Sequence, residues 1–297
     1  MQQLNSSNSS LITPSLTESH IASSVLAVCF ILGVPGNIAV MVRLAGWLKG
    51  GSFTPRLMLS LAISDLLTLL FLPVWIWSVL HGWFFGLFLC KLLSYLLYFS
   101  LYCSTLCVML MSVQRYMQVL HPQKWNKLGS KGKKILLSGM WMFSGVLSSY
   151  ALVQRSLSLD GQEHLQCRLH YHNDVERVAT LIWEIMVFVV LFFTLIYFYF
   201  QLYRGVNKSA FFSSNIMTKL VTRIVACFFI FWVPNQISNT LLITAVLLEN
   251  DNLLKSAEAG SNITGAMTFI NSCVNPFLYA FSARALRQYN PGTETTS

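Results

Sequence analysis

Residues 57–80 read LMLSLAISDLLTLLFLPVWIWSVL, an apolar run broken by a single carboxylate, Asp65. A membrane-spanning helix needs about 20 such residues, because the hydrocarbon core is about 30 Å thick and an α-helix rises about 1.5 Å per residue. Six further runs of spanning length follow the same pattern, at residues 21–42, 87–119, 135–153, 178–203, 220–248 and 259–281. With 55% hydrophobic and 10% charged residues, the chain has too little polar surface to clothe a water-soluble core. The reading is an all-α membrane protein, a seven-transmembrane helix bundle whose backbone groups are satisfied within each helix. Residues 1–20 form an extracellular segment, 21–281 the bundle, and 282–297 a short cytoplasmic helix and tail.

Orientation follows from the bases. With the N-terminus outside, Lys91, Arg155, Arg168, Arg177 and Lys255 are the outer cations among the 20 lysines and arginines, and the rest fall on the inner side. That asymmetry is the positive-inside pattern, so the net charge of +9 reports topology rather than affinity for nucleic acid. The N-terminal segment carries two glycosylation acceptors, Asn5 and Asn8, which agree with an outer location. A multi-pass plasma-membrane protein surrounded by lipid is expected.

Five of the seven cysteines lie inside apolar runs, where a thiol acts as a small hydrophobe. Cys90 opens the third run and Cys167 sits in the loop before the fifth, both on the oxidising side; a disulfide between them is expected to pin that loop over the bundle mouth. Polar residues at membrane depth are costly and therefore functional candidates. Asp65 has Asn37, Ser104, Asn271, Ser272 and Asn275 at comparable depth. A carboxylate with hydroxyl and amide oxygens suits a hard cation or a water cluster; a purely structural polar knot between helices is the equal alternative.

These residues carry a resemblance. Gly36-Asn37, Leu61-Ala62 with Asp65, Trp83-Phe84-Phe85-Gly86, Cys90 with Cys167, Trp141, Phe231-Trp232-Val233-Pro234 and Asn275-Pro276-Phe277-Leu278-Tyr279 occur in order and resemble the signature set of rhodopsin-like G-protein-coupled receptors. Gln114-Arg115-Tyr116 resembles that family's DRY-type sequence. The resemblance implies a sodium or water site at Asp65, Ser104, Asn271 and Ser272, with Trp232 beneath a ligand pocket. It also implies a G-protein-coupling and switch region at Gln114, Arg115, Tyr116, Phe200, Pro276 and Tyr279. Independently of family, Pro234 and Pro276 each delete a backbone hydrogen bond at mid-membrane and permit a bend.

Arg155, Arg177 and Glu184 are placed to converge near the outer mouth, beside Arg168. Cations against apolar walls suit an anion with a long hydrophobic tail; equally, Glu184 could pair with one arginine and cancel the charge. With Tyr102 and Asn239, this trio resembles the leukotriene B4 branch of the chemoattractant receptors. The resemblance implies a lipid-mediator ligand, inhibitory heterotrimeric G proteins and leukocyte chemotaxis. Ser94 departs from that branch, where a histidine is usual. Gln114 replaces an acid, Phe192 a proline and Phe200 a tyrosine; the first favours basal activity and the last weakens the active form. Chemokine-, formyl-peptide- or nucleotide-type receptors and a non-signalling scavenger are the rival receptor readings. A transporter lacks its repeat symmetry, and an intramembrane enzyme lacks a buried histidine base beside Ser104 and Asp65. No enzyme activity and no cofactor beyond an allosteric sodium ion are expected. Thr293 to Ser297 offer phosphorylation sites for an arrestin-like partner.

Overall fold

The computed structural model describes residues 16–47, 53–159, 165–206 and 216–289. Asn5, Asn8 and the tail from residue 290 lie outside the described residues, as do the side chains of Tyr279, Arg284 and Arg287. Ten helices and one β-hairpin are present among them: α1 Leu16–Trp47, α2 Phe53–Leu70, α3 Leu72–His81, α4 Gly86–Leu120, α5 Pro122–Lys127, α6 Gly129–Ser148, α7 Tyr150–Gln154, β1 Arg155–Leu159, β2 Leu165–Leu169, α8 Asp174–Val206, α9 Ile216–Leu247 and α10 Asp251–Tyr289. The pairs α2/α3 and α6/α7 each act as one span. Six spans are long and apolar enough to cross a bilayer, and the more polar 39-residue α10 completes the seven. The bundle closes as a ring, with α1 against α2 and α10, α9 against α8 and α10, and α4 running through the middle against α2, α6, α8 and α9.

Prolines shape three spans. Pro73 at the start of α3 divides the second span at Phe71, whose carbonyl accepts from both Val74 and Trp75. Pro234 lies inside α9. Pro276 lies inside α10 and leaves the carbonyl four residues back, that of Ser272, without its helical donor. Asn37 of α1 supplies the missing hydrogen, donating from Nδ2 to Ser272 O at 3.0 Å. The close approach this needs explains two glycines of α1. A Cβ on Gly33 would come within 2.5 Å of Leu69 Cδ1 and 2.9 Å of Cys273 Cβ, and one on Gly36 within 3.0 Å of Pro276. By contrast α8 is continuous through Phe192, the residue standing in for a proline, which stacks on Phe188 and meets Phe229 edge-on at 4.7 Å.

α1 begins at Leu16, and α10 runs unbroken from Asp251 to Tyr289. The bundle is helical as expected, with one short antiparallel hairpin in its outer loop, registered with Leu157 opposite Cys167. Arg155 therefore opens β1. Cys90 and Cys167 are bonded as expected, with Cα atoms 5.6 Å apart, and Trp83 N donates to Leu165 O at 2.6 Å, so the hairpin is tied to the outer ends of α3 and α4.

Candidate functional site

Below the hairpin lies a cavity of about 360 Å³, lined by α4, α8, α9 and α10 and roofed by Arg155, Leu169 and Tyr171. The face of α4 turned to it is Leu97, Tyr98, Leu101, Tyr102 and Thr105, the three- and four-residue spacing of one helical side. Its floor is aromatic and aliphatic: Phe188, Leu191, Phe228 and Trp232, the last packed 5.5 Å from Phe228 and two residues before Pro234. All six residues expected to contact a ligand, Arg155, Arg177, Glu184, Tyr102, Asn239 and Trp232, line this one cavity. Arg168 does not; in β2 it alternates away from buried Cys167, and its Nε donates to Gln166 at 3.0 Å. Ser94 lies outside as well, fully buried with its hydroxyl 3.8 Å from Cys167 Sγ.

The charges are arranged differently from simple arginine–Glu184 pairing. Glu184 accepts hydrogen bonds from Tyr150 OH and Asn239 Nδ2, both at 3.2 Å, and so joins α7, α8 and α9. Arg177 pairs instead with Glu258 of α10, Nη2 to Oε1 at 2.6 Å, at the lip of the cavity. Arg155 donates to Cys167 O at 3.0 Å and Tyr98 OH at 3.3 Å and stands over the rings of Trp75 and Tyr98. Among the described residues no carboxylate comes within ion-pair distance of Arg155, and its buried Nε has no hydrogen-bond partner. Tyr171 beside these groups is buried enough that its phenol is pushed well above its ordinary pKa, so it faces the cavity as a neutral donor. Tyr98, Tyr150 and Glu258 were not singled out from sequence, although Tyr98 sits one turn before Tyr102 on the same face.

Deeper in the bundle Asp65 is fully buried. Its Oδ1 accepts from Ser104 at 2.9 Å and its Oδ2 from Asn275 at 2.7 Å, with the Ser272 hydroxyl also in reach. Around this carboxylate three buried amide oxygens, of Asn37, Asn271 and Asn275, have no hydrogen-bond partner among the described residues. Buried acceptors are rarely left bare. A surplus of oxygen acceptors is the donor set a small hard cation or a water cluster would satisfy.

At the inner end of α4, Gln114 is fully buried and donates from Nε2 to Thr54 of α2 at 2.7 Å. Arg115 reaches Gln118 at 3.5 Å, and Tyr116 bonds His121 at 3.1 Å and packs on Phe198. Phe200 is 55% exposed, with the Arg204 guanidinium over its ring. Trp141 ties α6 to α2 by donating to Ser60 at 2.7 Å.

Seven spans, a disulfide-anchored hairpin over an outer cavity, and a polar cluster at a proline kink describe a receptor. The family model of the 7 transmembrane receptor (rhodopsin family) matches residues 36–279. The chain belongs to that family. This receptor is 28% identical to the C-X-C chemokine receptor type 1 of Homo sapiens, over 90% of this chain and 78% of that one. It is similarly 28% identical to the G-protein coupled receptor homolog K2 of swinepox virus, over 88% and 73%. With the type-1 angiotensin II receptor B of Xenopus laevis the identity is 25%, over 89% and 76%. Membership makes the chain a multi-pass plasma-membrane protein whose partners are a ligand and a G protein, within a family of signalling proteins rather than enzymes.

Proposed function

We propose that this receptor recognises an anionic lipid mediator, leukotriene B4 being the ligand that fits best, and signals chemotaxis through an inhibitory heterotrimeric G protein. The observation carrying the reading is Arg155: a guanidinium with no carboxylate partner and a bare Nε among the described residues, opening onto a cavity whose depths are apolar. A carboxylate head beside Arg155 would complete its hydrogen bonds, and a hydrocarbon tail would run between Phe188 and Trp232. Hydroxyls along that tail would find Asn235, Gln236, Asn239 and Thr268, which line the same space; the buried Gln236 Oε1 has no partner among the described residues. Because Glu184 holds Asn239 of α9, a ligand competing for that contact would bias the helix whose bend is set by Pro234. The Asp65 cluster would hold sodium or ordered water in the resting state, and the phosphorylated tail would recruit an arrestin-like partner.

The test is ligand response with Arg155→Ala and Arg177→Ala at matched surface expression. Truncating one partner of a desolvated charge pair costs about 2–5 kcal/mol. Arg155→Ala should take the larger loss, since Arg177 merely exchanges Glu258 for the ligand. Unchanged leukotriene B4 potency in both variants refutes the reading. The relatives named for chemokine and angiotensin II favour a second reading, a chemokine- or peptide-type ligand. In that case a leukotriene panel stays silent while a chemokine panel lowers cyclic AMP.

A further inference from the structure

We propose that Cys29 of α1 and Cys273 of α10 form a covalent modification site: a neutral hydroperoxide reaching them through the bilayer joins them as a second disulfide and pins α10 to α1. The two thiols are 244 residues apart in sequence, and their sulfurs are 3.9 Å apart in space. Both are buried and, unlike Cys90 and Cys167, unbonded. Cys103, Cys107 and Cys227 are the other free cysteines among the described residues, and Cys107 turns to the Met140 thioether at 3.5 Å.

The seam that holds the pair is close-packed. Ala22, Leu26, Cys29 and Gly33 recur at steps of four, three and four residues, which keeps them on one side of α1. Ala22, Leu26 and Cys29 pack with Ala266 and Cys273 of α10 in one apolar cluster. One turn on from Cys29, a Cβ added to Gly33 would lie 2.9 Å from Cys273 Cβ and 3.3 Å from its Cα. The two backbones thus run within the short reach a disulfide needs, about 4.4–6.8 Å between Cα atoms. Closing the sulfurs from 3.9 Å to a bond of about 2.05 Å is then a matter of side-chain rotation.

Depth decides the oxidant. Cys29 lies ten residues beyond Ser19, where its span begins, or about 15 Å at the helical rise of about 1.5 Å per residue, so the pair sits within hydrocarbon. Glutathione, which sets the thiol balance of aqueous compartments, carries charges that are too costly to bring into that medium. A hydroperoxide is neutral, whether it is hydrogen peroxide or the oxidised acyl chain of a lipid. One thiol sulfur takes the terminal peroxide oxygen; the O–O bond breaks, and the remaining oxygen leaves with that thiol's proton as an alcohol, or as water from hydrogen peroxide. The second sulfur attacks the resulting sulfenic sulfur, and the S–O bond breaks as water departs with the second proton. Two thiols are oxidised to one disulfide while one peroxide is reduced. Placement of the sulfurs side by side makes the second step intramolecular. The bond falls three residues before Pro276 and next to Ser272, whose carbonyl Asn37 caps, so it ties α10 to α1 where the helix can bend.

The experiment uses the full chain in phosphatidylcholine nanodiscs, treated in separate arms with a phospholipid hydroperoxide in the bilayer, with hydrogen peroxide in the water and with oxidised glutathione. Denaturation, thiol blocking, digestion and mass spectrometry then read the cysteines. A cross-linked product joining the Cys29 and Cys273 peptides is expected with peroxide and not with oxidised glutathione, the faster peroxide arm naming the source. Cys29→Ala and Cys273→Ala should each abolish that product. Ligand-free nucleotide exchange on the G protein should fall several-fold in the linked receptor and hold in peroxide-treated Cys29→Ala. Both thiols left free by peroxide, or oxidation spread evenly over all five free cysteines, overturns the site. A link made as fast by oxidised glutathione overturns its assignment to the hydrocarbon layer. Undiminished exchange in the linked receptor, or an equal loss in Cys29→Ala, overturns the pinning of α10.

Discussion

The outer and inner halves of this receptor are held by different kinds of bond. Outside, the hairpin is fastened covalently through Cys90–Cys167, by Trp83 N to Leu165 O, and by Arg155 to Tyr98 OH of α4, while Arg177 and Glu258 strap α8 to α10. Inside, among the described residues, two neutral hydrogen bonds join helices: Gln114 to Thr54 between α4 and α2, and Trp141 to Ser60 between α6 and α2. A net neutral hydrogen bond is worth about 1 kcal/mol, so the inner helices separate more readily than the outer ones. Between the halves sits the Asp65 cluster, where Asn37 repairs the backbone that Pro276 breaks. The contrast teaches where movement belongs. A ligand that shifts a stiff outer end by little can open a weakly tied inner end by more, provided the middle can rearrange.

The largest effect should come from untying the stiff end. The disulfide closes a sequence separation of 77 residues, and removing a cross-link of that span costs about 4 kcal/mol in the chain-entropy account. Cys90→Ser or Cys167→Ser should abolish most surface expression, read by labelling of intact cells. If either variant reaches the surface normally and binds ligand with wild-type affinity, the hairpin is held by its hydrogen bonds alone and the contrast between the halves loses its main support.

In the middle, Asp65→Asn should remove any dependence of agonist affinity on sodium at constant ionic strength. A coupling between sites of this kind is worth about 1–3 kcal/mol, so wild-type affinity should fall as sodium replaces a bulky organic cation. The three bare amide oxygens around the carboxylate are the reason to expect an ion or ordered water there. Identical affinity in both media for the wild type would leave a structural knot that merely joins α1, α2, α4 and α10.

How much of this was legible beforehand divides by the range of the interactions. The spans were readable because each satisfies its own backbone and announces itself by length and apolarity, and the cavity residues because Arg155, Arg177 and Glu184 are charges near the membrane boundary. The hairpin was overlooked although Arg155-Ser156-Leu157-Ser158-Leu159 alternates and Asp160-Gly161 follows it, a turn signal outweighed by the surrounding helices. Partner choice was not readable at all. That Arg177 takes Glu258, that Gln114 takes Thr54, and that Ser94 lies under the disulfide rather than in the cavity depends on which helices touch, information that no local pattern contains.

The smallest expected effect concerns the weakly tied end. Gln114 donates its amide to Thr54, and its own Oε1 has no partner among the described residues in a fully buried position. An aspartate there would keep an acceptor for the Thr54 hydroxyl while bringing a negative charge next to Arg115, drawing the guanidinium inward and favouring the resting arrangement. Such a gain amounts to about 1 kcal/mol, a several-fold fall in basal signalling, to be read as ligand-free nucleotide exchange on the G protein. Phe200→Tyr should act in the other direction. The ring is more than half exposed, so a hydroxyl is added without disturbing the core, and it supplies an inner-face hydrogen bond once α9 has moved outward. Agonist efficacy should rise while affinity in the absence of G protein stays the same. If Gln114→Asp leaves basal exchange unaltered at matched expression, the resting balance is not set at this end. The difference between the two halves would then be one of stiffness without consequence for signalling.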